Sequence, residues 1–169
     1  MSHFAVLAKT PLDCTVAELD AFTSLARASG EVHQHNLDHR ISRAQALVFA
    51  RVDAQIAGIG ALKLPNANYR ASVFRKAAVL PDPSNFPYEL GWVFVEPRYR
   101  GQGLSHEIVR AAVAQAARVS LYATSAVNNH QMHATLRAAG FQRSGIQYPS
   151  RDESRHVALF LRFVTDGAA

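Results

Sequence analysis

Val93-Phe94-Val95-Glu96-Pro97-Arg98-Tyr99-Arg100-Gly101-Gln102-Gly103-Leu104-Ser105-His106 joins an apolar strand to a helix through a loop with two glycines. The strand ends at Val95, because Pro97 has no N–H to give to a ladder. From Leu104 the apolar residues Ile108, Ala112, Ala116 and Val119 step by 4, 4, 4 and 3, the spacing of an amphipathic helix. Gly101 and Gly103 let the backbone approach a ligand closely. The unpaired amides of the first helical turn, with the helix dipole behind them, suit a pyrophosphate, and Arg100 adds a cation. An ordinary strand-to-helix turn, whose glycines serve only the bend, fits the same two glycines equally well. No Gly-Lys-Ser/Thr follows, so this is not a Walker loop. A dinucleotide fingerprint would need a third glycine and a position near the first strand.

Working outward, Glu89 to Val95 reads as the strand that feeds the loop, Ser120 to Val127 as the next strand, and Asn129 to Ala139 as a helix stopped by Gly140. Phe141 to Tyr148 and His156 to Val164 form a closing pair of strands. Toward the N-terminus, Ala46 to Val52 and Ile56 to Leu64 read as a hairpin. Before it, Thr15 and Glu18 have capping-box spacing ahead of Leu19, Phe22, Leu25 and Ala26, with Gly30 as a stop. Glu31 to Arg43 carries a weaker helical pattern, and the apolar run Phe4 to Ala8 reads as the first strand. Residues 65–87 hold Pro65, Pro81, Pro83 and Pro87 around a short helical pattern at Tyr69, Val73, Phe74 and Ala77. Long excursions of this kind in compact domains are often functional. The pattern predicts an α/β (α+β) chain: a mixed, mostly antiparallel central sheet of about seven strands with helices on both faces.

The chain has 169 residues, and at roughly 150 per domain this predicts one domain over 1–169. Apolar residues are 49% and charged ones 18%, a balance that excludes a disordered chain. Cys14 is alone, which excludes an internal disulfide and fits a reducing compartment. No stretch approaches the ~18 apolar residues of a membrane span, and Met1-Ser2-His3 does not open like a signal peptide. A cytoplasmic location is expected. The net charge is +5 and the pI near 9.8, a surplus that suits an anionic partner such as nucleic acid or a phosphorylated small molecule. The arginines are dispersed, as on a solvated surface, and no aromatic-basic platform interleaves them, so a nucleic-acid-binding module ranks last. His33, His35 and His39 have spacing that tempts a zinc reading, with His35 and His39 one helical turn apart. No cysteine cluster or His-Glu-x-x-His pattern supports it, so they read as surface or acceptor-site histidines and no metal is expected.

The run Glu89-Leu90-Gly91-Trp92-Val93-Phe94-Val95-Glu96-Pro97-Arg98-Tyr99-Arg100-Gly101-Gln102-Gly103-Leu104 resembles the acetyl-CoA-binding motif of the GNAT superfamily of N-acetyltransferases. Its Gln/Arg-x-x-Gly-x-Gly/Ala signature is matched by Arg100 and Gly103, with Ser105 in the last position. A second feature follows at the expected separation: a strand over Leu121 to Ala126, Asn129, then a helix ending in Gly140-Phe141. The resemblance covers residues 89–148 closely. It implies an acyltransferase that moves an acetyl group from acetyl-CoA, as co-substrate, to the amine of a small molecule or peptide. It implies a splay between the fourth and fifth strands that holds the co-substrate. The pantetheine arm would pair with the backbone of Val93, Phe94 and Val95. The pyrophosphate would lie on Arg100, Gly101, Gln102, Gly103, Leu104, Ser105 and His106, with Asn129 also in contact. A homodimer is compatible with the sequence.

Attack by an amine requires that its ammonium form lose a proton. Glu89, four residues before Val93, matches the strand position where histone-type members keep a glutamate base. A strand-edge glutamate without a catalytic part is the plain alternative. The oxyanion donor implied by the resemblance is a backbone amide around Val95. Two departures stand out. Leu136 occupies the position where many members carry a tyrosine acid for the leaving thiolate, and Thr124 the position of a glutamate found in others. Tyr122, His133 and Tyr148 are substitutes, each with a structural explanation as well, and a thiolate can also leave protonated by water. The absent tyrosine motivates a second function, a catalytically silent acyl-CoA-binding domain. In the excursion, Arg70, Arg75 and Lys76 beside Tyr69 and Phe74 read as an aromatic surface edged with cations, suited to an acceptor bearing a carboxylate or phosphate; a surface helix whose aromatic face packs on the domain and whose arginines are only solvated fits the same residues equally well.

Overall fold

A computed structural model describes residues 3–165. Met1 and Ser2, part of the opening weighed above, lie outside the described residues. The elements are β1 (Phe4–Lys9), α1 (Val16–Ala28), α2 (Leu37–Ser42), β2 (Ala46–Val52), β3 (Gln55–Lys63), α3 (Ala67–Lys76), β4 (Tyr88–Val95), α4 (Leu104–Ala114), β5 (Leu121–Ala126), α5 (His130–Ala138), β6 (Gln142–Pro149) and β7 (His156–Arg162). The seven strands form a mixed sheet, as the sequence pattern predicts, and the structure gives their order as β1-β2-β3-β4-β5-β7-β6. The chain builds two compact units: one from residues up to Leu64 and from Leu90 to Gln115, the other from Pro65 to Glu89 and from Ala116 onward.

In the first unit β1, β2 and β3 are antiparallel, with Leu7 opposite Phe49 and Phe49 opposite Ile59. Side chains alternate across the sheet, so Leu47, Phe49, Ile59 and Ala61 share one face. There they meet Phe22, Leu25 and Ala26 of α1 and Leu37 and Ile41 of α2 in one buried cluster. The other face of β3 carries Gly58 and Gly60, over which α4 packs: a Cβ on Gly60 would come within 2.4 Å of Ile108. Bare backbone at these two positions is what lets α4 lie close on the sheet. α1 begins in the expected capping box, with Thr15 Oγ1 accepting from Glu18 N and Glu18 returning a bond to Thr15 N. The Glu18 carboxylate also meets Lys9 at 2.9 Å and Arg51 at 3.2 Å.

Three sequence expectations shift in detail. Glu31 to Arg43 yields only the six-residue α2, entered through Asn36 at φ 51°. His35 therefore precedes the helix, and His35 and His39 do not share a helical turn. α4 stops at Ala114 rather than running to Val119. The Gln115 amide bonds the carbonyl of Ala112, three residues back, and Ala117 turns left-handed at φ 53°. The β2–β3 turn consists of Asp53 and Ala54, both left-handed at φ 48° and 68°. Such two-residue turns favour glycine in second place, and a left-handed alanine costs roughly 1 kcal/mol. Ala54→Gly should therefore raise stability by about 0.5 kcal/mol, after allowing for the added freedom of the unfolded chain. A higher urea midpoint at unchanged slope would register the gain.

In the second unit β7 runs antiparallel between β5 and β6, with Thr124 and Ser144 flanking Leu159. On one face Leu159 and Leu161 pack with Val73, Phe74 and Ala77 of α3, Phe86, Tyr122 and Tyr148. On the other, Phe160 meets His133 of α5, ring centroids 4.8 Å apart. The excursion is thus part of the core. Phe74 is buried against Phe86 and Tyr122, at 5.1 and 5.5 Å between ring centroids, so of the two readings of the excursion the surface one fails for Phe74 and the packed one holds. The reason is helical phase: Val73, Phe74 and Ala77 point inward together. β6 breaks its ladder between Ser144 and Tyr148, and Ile146 N bonds instead to the carbonyl of Ala77 at the end of α3.

Candidate active site

β4 contains a feature for which the sequence carries no signal. Trp92 sits at φ 52°, a left-handed backbone in a strand, which a bulky residue adopts only when its surroundings hold it there. Its ring packs edge-on to Phe22 at 6.0 Å, with the cations of Lys63 and Arg40 at 5.1 and 5.8 Å from its centre. Trp92 and Phe94 both pack against the cluster beneath α1 and α2. Val93 and Val95 point to the opposite side, toward the glycines of β3.

After β4 the loop is built as a cradle. Gly101 and Gly103 are both left-handed at φ 80°, and a Cβ on either would meet no atom within 4 Å. Gly103 caps α4, whose buried Leu104 and Ile108 anchor its start. Glu107 N is bonded to the carbonyl of Gly103, so the amides of Leu104, Ser105 and His106 precede the intrahelical ladder. Gln102 and His106 are exposed, and Ser105 is half-buried. Arg100 is fastened, with Nε donating to the Val95 carbonyl at 2.9 Å and its guanidinium 5.6 Å from the centre of the Phe94 ring.

Within the second unit, Glu89 is only 3% exposed. Tyr69 Oη donates toward Glu89 Oε1 at 3.5 Å, and Tyr122 Oη toward Oε2 at 3.3 Å. Tyr122 is fully buried, and burial, followed by the Glu89 charge, holds its hydroxyl far above the ordinary phenol range. The same two causes raise Tyr148, which lies on this side of β6. Tyr69 differs, as a residue 45% exposed. Arg70 stands close enough for its charge to act on Tyr122, and its Nε is buried without a hydrogen-bond partner. Arg75 is exposed in the last turn of α3, about 140° around the helix from Arg70. Tyr69, Arg70 and Glu89 are therefore brought together, and Arg75 is not among them.

Asn129 is the N-cap of α5: its Oδ1 accepts from Met132 N at 3.1 Å. Leu136 is core, and Thr124 lies in β5 opposite Leu159. His133 is buried, and its Nε2 lies 2.9 Å from the Ala126 carbonyl, which can only accept, so Nε2 carries the proton. Burial lowers its pKa most, and the charges of Arg143, His130 and Arg137 act in the same direction; the bond to Ala126 opposes them. The folded chain thus holds this imidazole neutral where the unfolded chain would protonate it. Its contribution to stability is complete above the usual imidazole pKa of about 6.5 and is lost as pH falls below it. His133→Leu should flatten the fall in unfolding free energy between about pH 7 and pH 5, measured by denaturant titration. Among the described residues no group of three or more His, Cys, Asp or Glu is arranged to hold a metal, and no helix is long and apolar enough to cross a membrane.

The family model of the acetyltransferase (GNAT) family matches residues 15–141. The chain belongs to this family. A search of curated proteins by sequence finds no match. Solved structures share the fold at low identity. An acyl-CoA N-acyltransferase from Pseudomonas aeruginosa is 18% identical with a TM-score of 0.69, over 95% of this chain and 99% of that one. ElaA of Escherichia coli is 12% identical with a TM-score of 0.68, over 95% and 99%. A GNAT-family acetyltransferase from Streptococcus agalactiae is 13% identical with a TM-score of 0.66, over 98% and 100%.

Proposed function

We propose that this chain is an N-acetyltransferase, carrying an acetyl group from acetyl-CoA to a primary amine by direct attack in a ternary complex. The observation that carries the reading is Glu89, a buried carboxylate whose two oxygens each face a tyrosine hydroxyl. It is a proton acceptor built into the second unit, and amine acetylation needs one. Acetyl-CoA supplies a thioester, whose acyl carbon takes the amine and whose thiolate leaves. The open, left-handed loop at Gly101 and Gly103 suits a pyrophosphate, since no side chain fills the space and the first amides of α4 head the helix. In this reading Arg100, Gln102, Leu104, Ser105 and His106 complete that cradle. The backbone of Val93, Phe94 and Val95 lines the pantetheine, and an amide near Val95 receives the oxyanion. Asn129 spends its carbonyl on capping α5 and keeps its NH2 group as a donor for the co-substrate.

Tyr69 and Arg70 form the acceptor side, with Arg75 adding positive charge farther along α3. An acceptor with a carboxylate or phosphate suits this charge. The amine comes from a small molecule or a peptide, the reaction is cytoplasmic, and a homodimer is compatible with it. The deciding experiment incubates the protein with acetyl-CoA and a panel of alkylamines, amino acids, polyamines and peptides, following free thiol. Amine-dependent thiol release supports the assignment. Tight CoA binding without release, for any amine, replaces it with the silent acyl-CoA-binding domain that Leu136 suggests.

A further inference from the structure

We propose that Tyr69 passes the acceptor's proton to Glu89, so that the base of this enzyme works through a phenol rather than by touching the amine. The proposal rests on the acetyltransferase assignment and adds a route to it. Glu89 is 3% exposed, too enclosed for an ammonium group to lie against its carboxylate without displacing what covers it. Its oxygens are differentiated. Oε2 faces Tyr122, which is fully buried and whose hydroxyl is held strongly in the protonated form, so this side fixes the carboxylate and releases no proton. Oε1 faces Tyr69, the exposed tyrosine of the cluster. A hydroxyl both donates and accepts, so Tyr69 Oη can give its hydrogen to Oε1 and take up another proton on its lone pair.

The step balances without a free phenolate. An N–H of the ammonium group transfers its proton to Tyr69 Oη as the Tyr69 hydrogen moves to Glu89 Oε1. The released nitrogen lone pair forms the bond to the acyl carbon; the C–S bond then breaks with its electron pair on sulfur, and the nitrogen gives its second surplus proton to the departing thiolate, leaving a neutral amide and a free thiol. Glu89 then returns its proton outward by the same path. Both tyrosine contacts are long for O–H···O bonds, as catalytic contacts often are before substrate tightens them. The location of Tyr69 also explains its register on α3. Asn66 caps the helix by accepting from the amides of Asn68 and Tyr69, which sets the first turn so that Tyr69 faces Glu89.

The test compares Tyr69→Phe with the parent chain, using ethylamine and 2,2,2-trifluoroethylamine as acceptors. Ethylamine is an ammonium ion at neutral pH, whereas the fluorinated amine is mostly free base and has no proton to lose before attack. The variant should lose about 10²-fold in kcat/KM for ethylamine at pH 7. The loss should close as pH rises toward the pKa of ethylamine. With trifluoroethylamine the loss in kcat/KM should be at least tenfold smaller than with ethylamine, and KM for acetyl-CoA should not move. Equal losses for both amines, parallel to the parent at every pH, would reduce Tyr69 to packing or positioning and overturn the relay. A parent chain that releases no thiol with these two amines or with any amine of the panel above overturns the relay together with the acetyltransferase assignment.

Discussion

Glu89→Gln should lower turnover by about 10²-fold or more and leave CoA affinity almost unchanged; this is the usual scale for loss of a general base. The substitution keeps the shape of the side chain and removes the charge and the basicity. The fold should tolerate it. A glutamine carbonyl accepts from one tyrosine hydroxyl, and its NH2 group donates to the oxygen of the other, because a hydroxyl can reverse its role. Glu89→Leu is the harsher comparison, since it strands the fully buried Tyr122 hydroxyl at a cost of about 1–3 kcal/mol. The decisive numbers are steady-state kcat with the best acceptor and the CoA dissociation constant from calorimetry. Turnover close to the parent's between about pH 6 and pH 9 would remove Glu89 from the chemistry. It would leave the carboxylate as a partner for the tyrosines and nothing more.

Gly103→Glu should abolish measurable CoA binding in a protein that still folds. Two properties of the position lead to this. The left-handed φ of 80° makes any side chain there cost roughly 1–2 kcal/mol, which a domain of this size survives. A Cβ meets nothing within 4 Å, so the new side chain has room and displaces no core. What it does occupy is the space ahead of the α4 amides, where its carboxylate takes the favourable end of the helix dipole and repels a diphosphate. Gly103→Asn separates charge from bulk, because asparagine accepts a left-handed backbone and is neutral. Its loss of affinity should be clearly smaller. Calorimetry with CoA reads both variants, with circular dichroism to confirm folding. Unchanged affinity in folded Gly103→Glu would move the pyrophosphate away from this loop.

Much of the scaffold was legible from local signals. The Thr15–Glu18 capping box, the Gly140 stop at φ 90°, the hairpin and the glycine loop into α4 all depend on residues within a few positions of one another. Backbone sterics and side-chain caps act over that range, so residue order alone determines them. The family resemblance in residues 89–148 is of the same kind, a contiguous string, and the match over residues 15–141 agrees with it.

The sequence by itself determined the strands, the loop and Glu89 as a candidate; tertiary structure decided what surrounds each of them. Tyr69 and Tyr122 are 20 and 33 residues from Glu89, and only the packing of α3 and the register of β5 bring their hydroxyls to its two oxygens. Helical spacing placed Tyr69, Val73, Phe74 and Ala77 on a helix without saying which side would be buried, so Phe74 fitted a surface or a packed face equally, and it lies in the core. Trp92 has a left-handed backbone that its residue type disfavours, held by Phe22, Arg40 and Lys63 from other elements. α4 ended early at Ala114, three residues before the left-handed Ala117, although its apolar period continued. The physical reason is common to all four. Periodicity fixes which residues share a face, but burial, register and strain depend on partners distant in the chain, and those contacts exist only once the chain has folded.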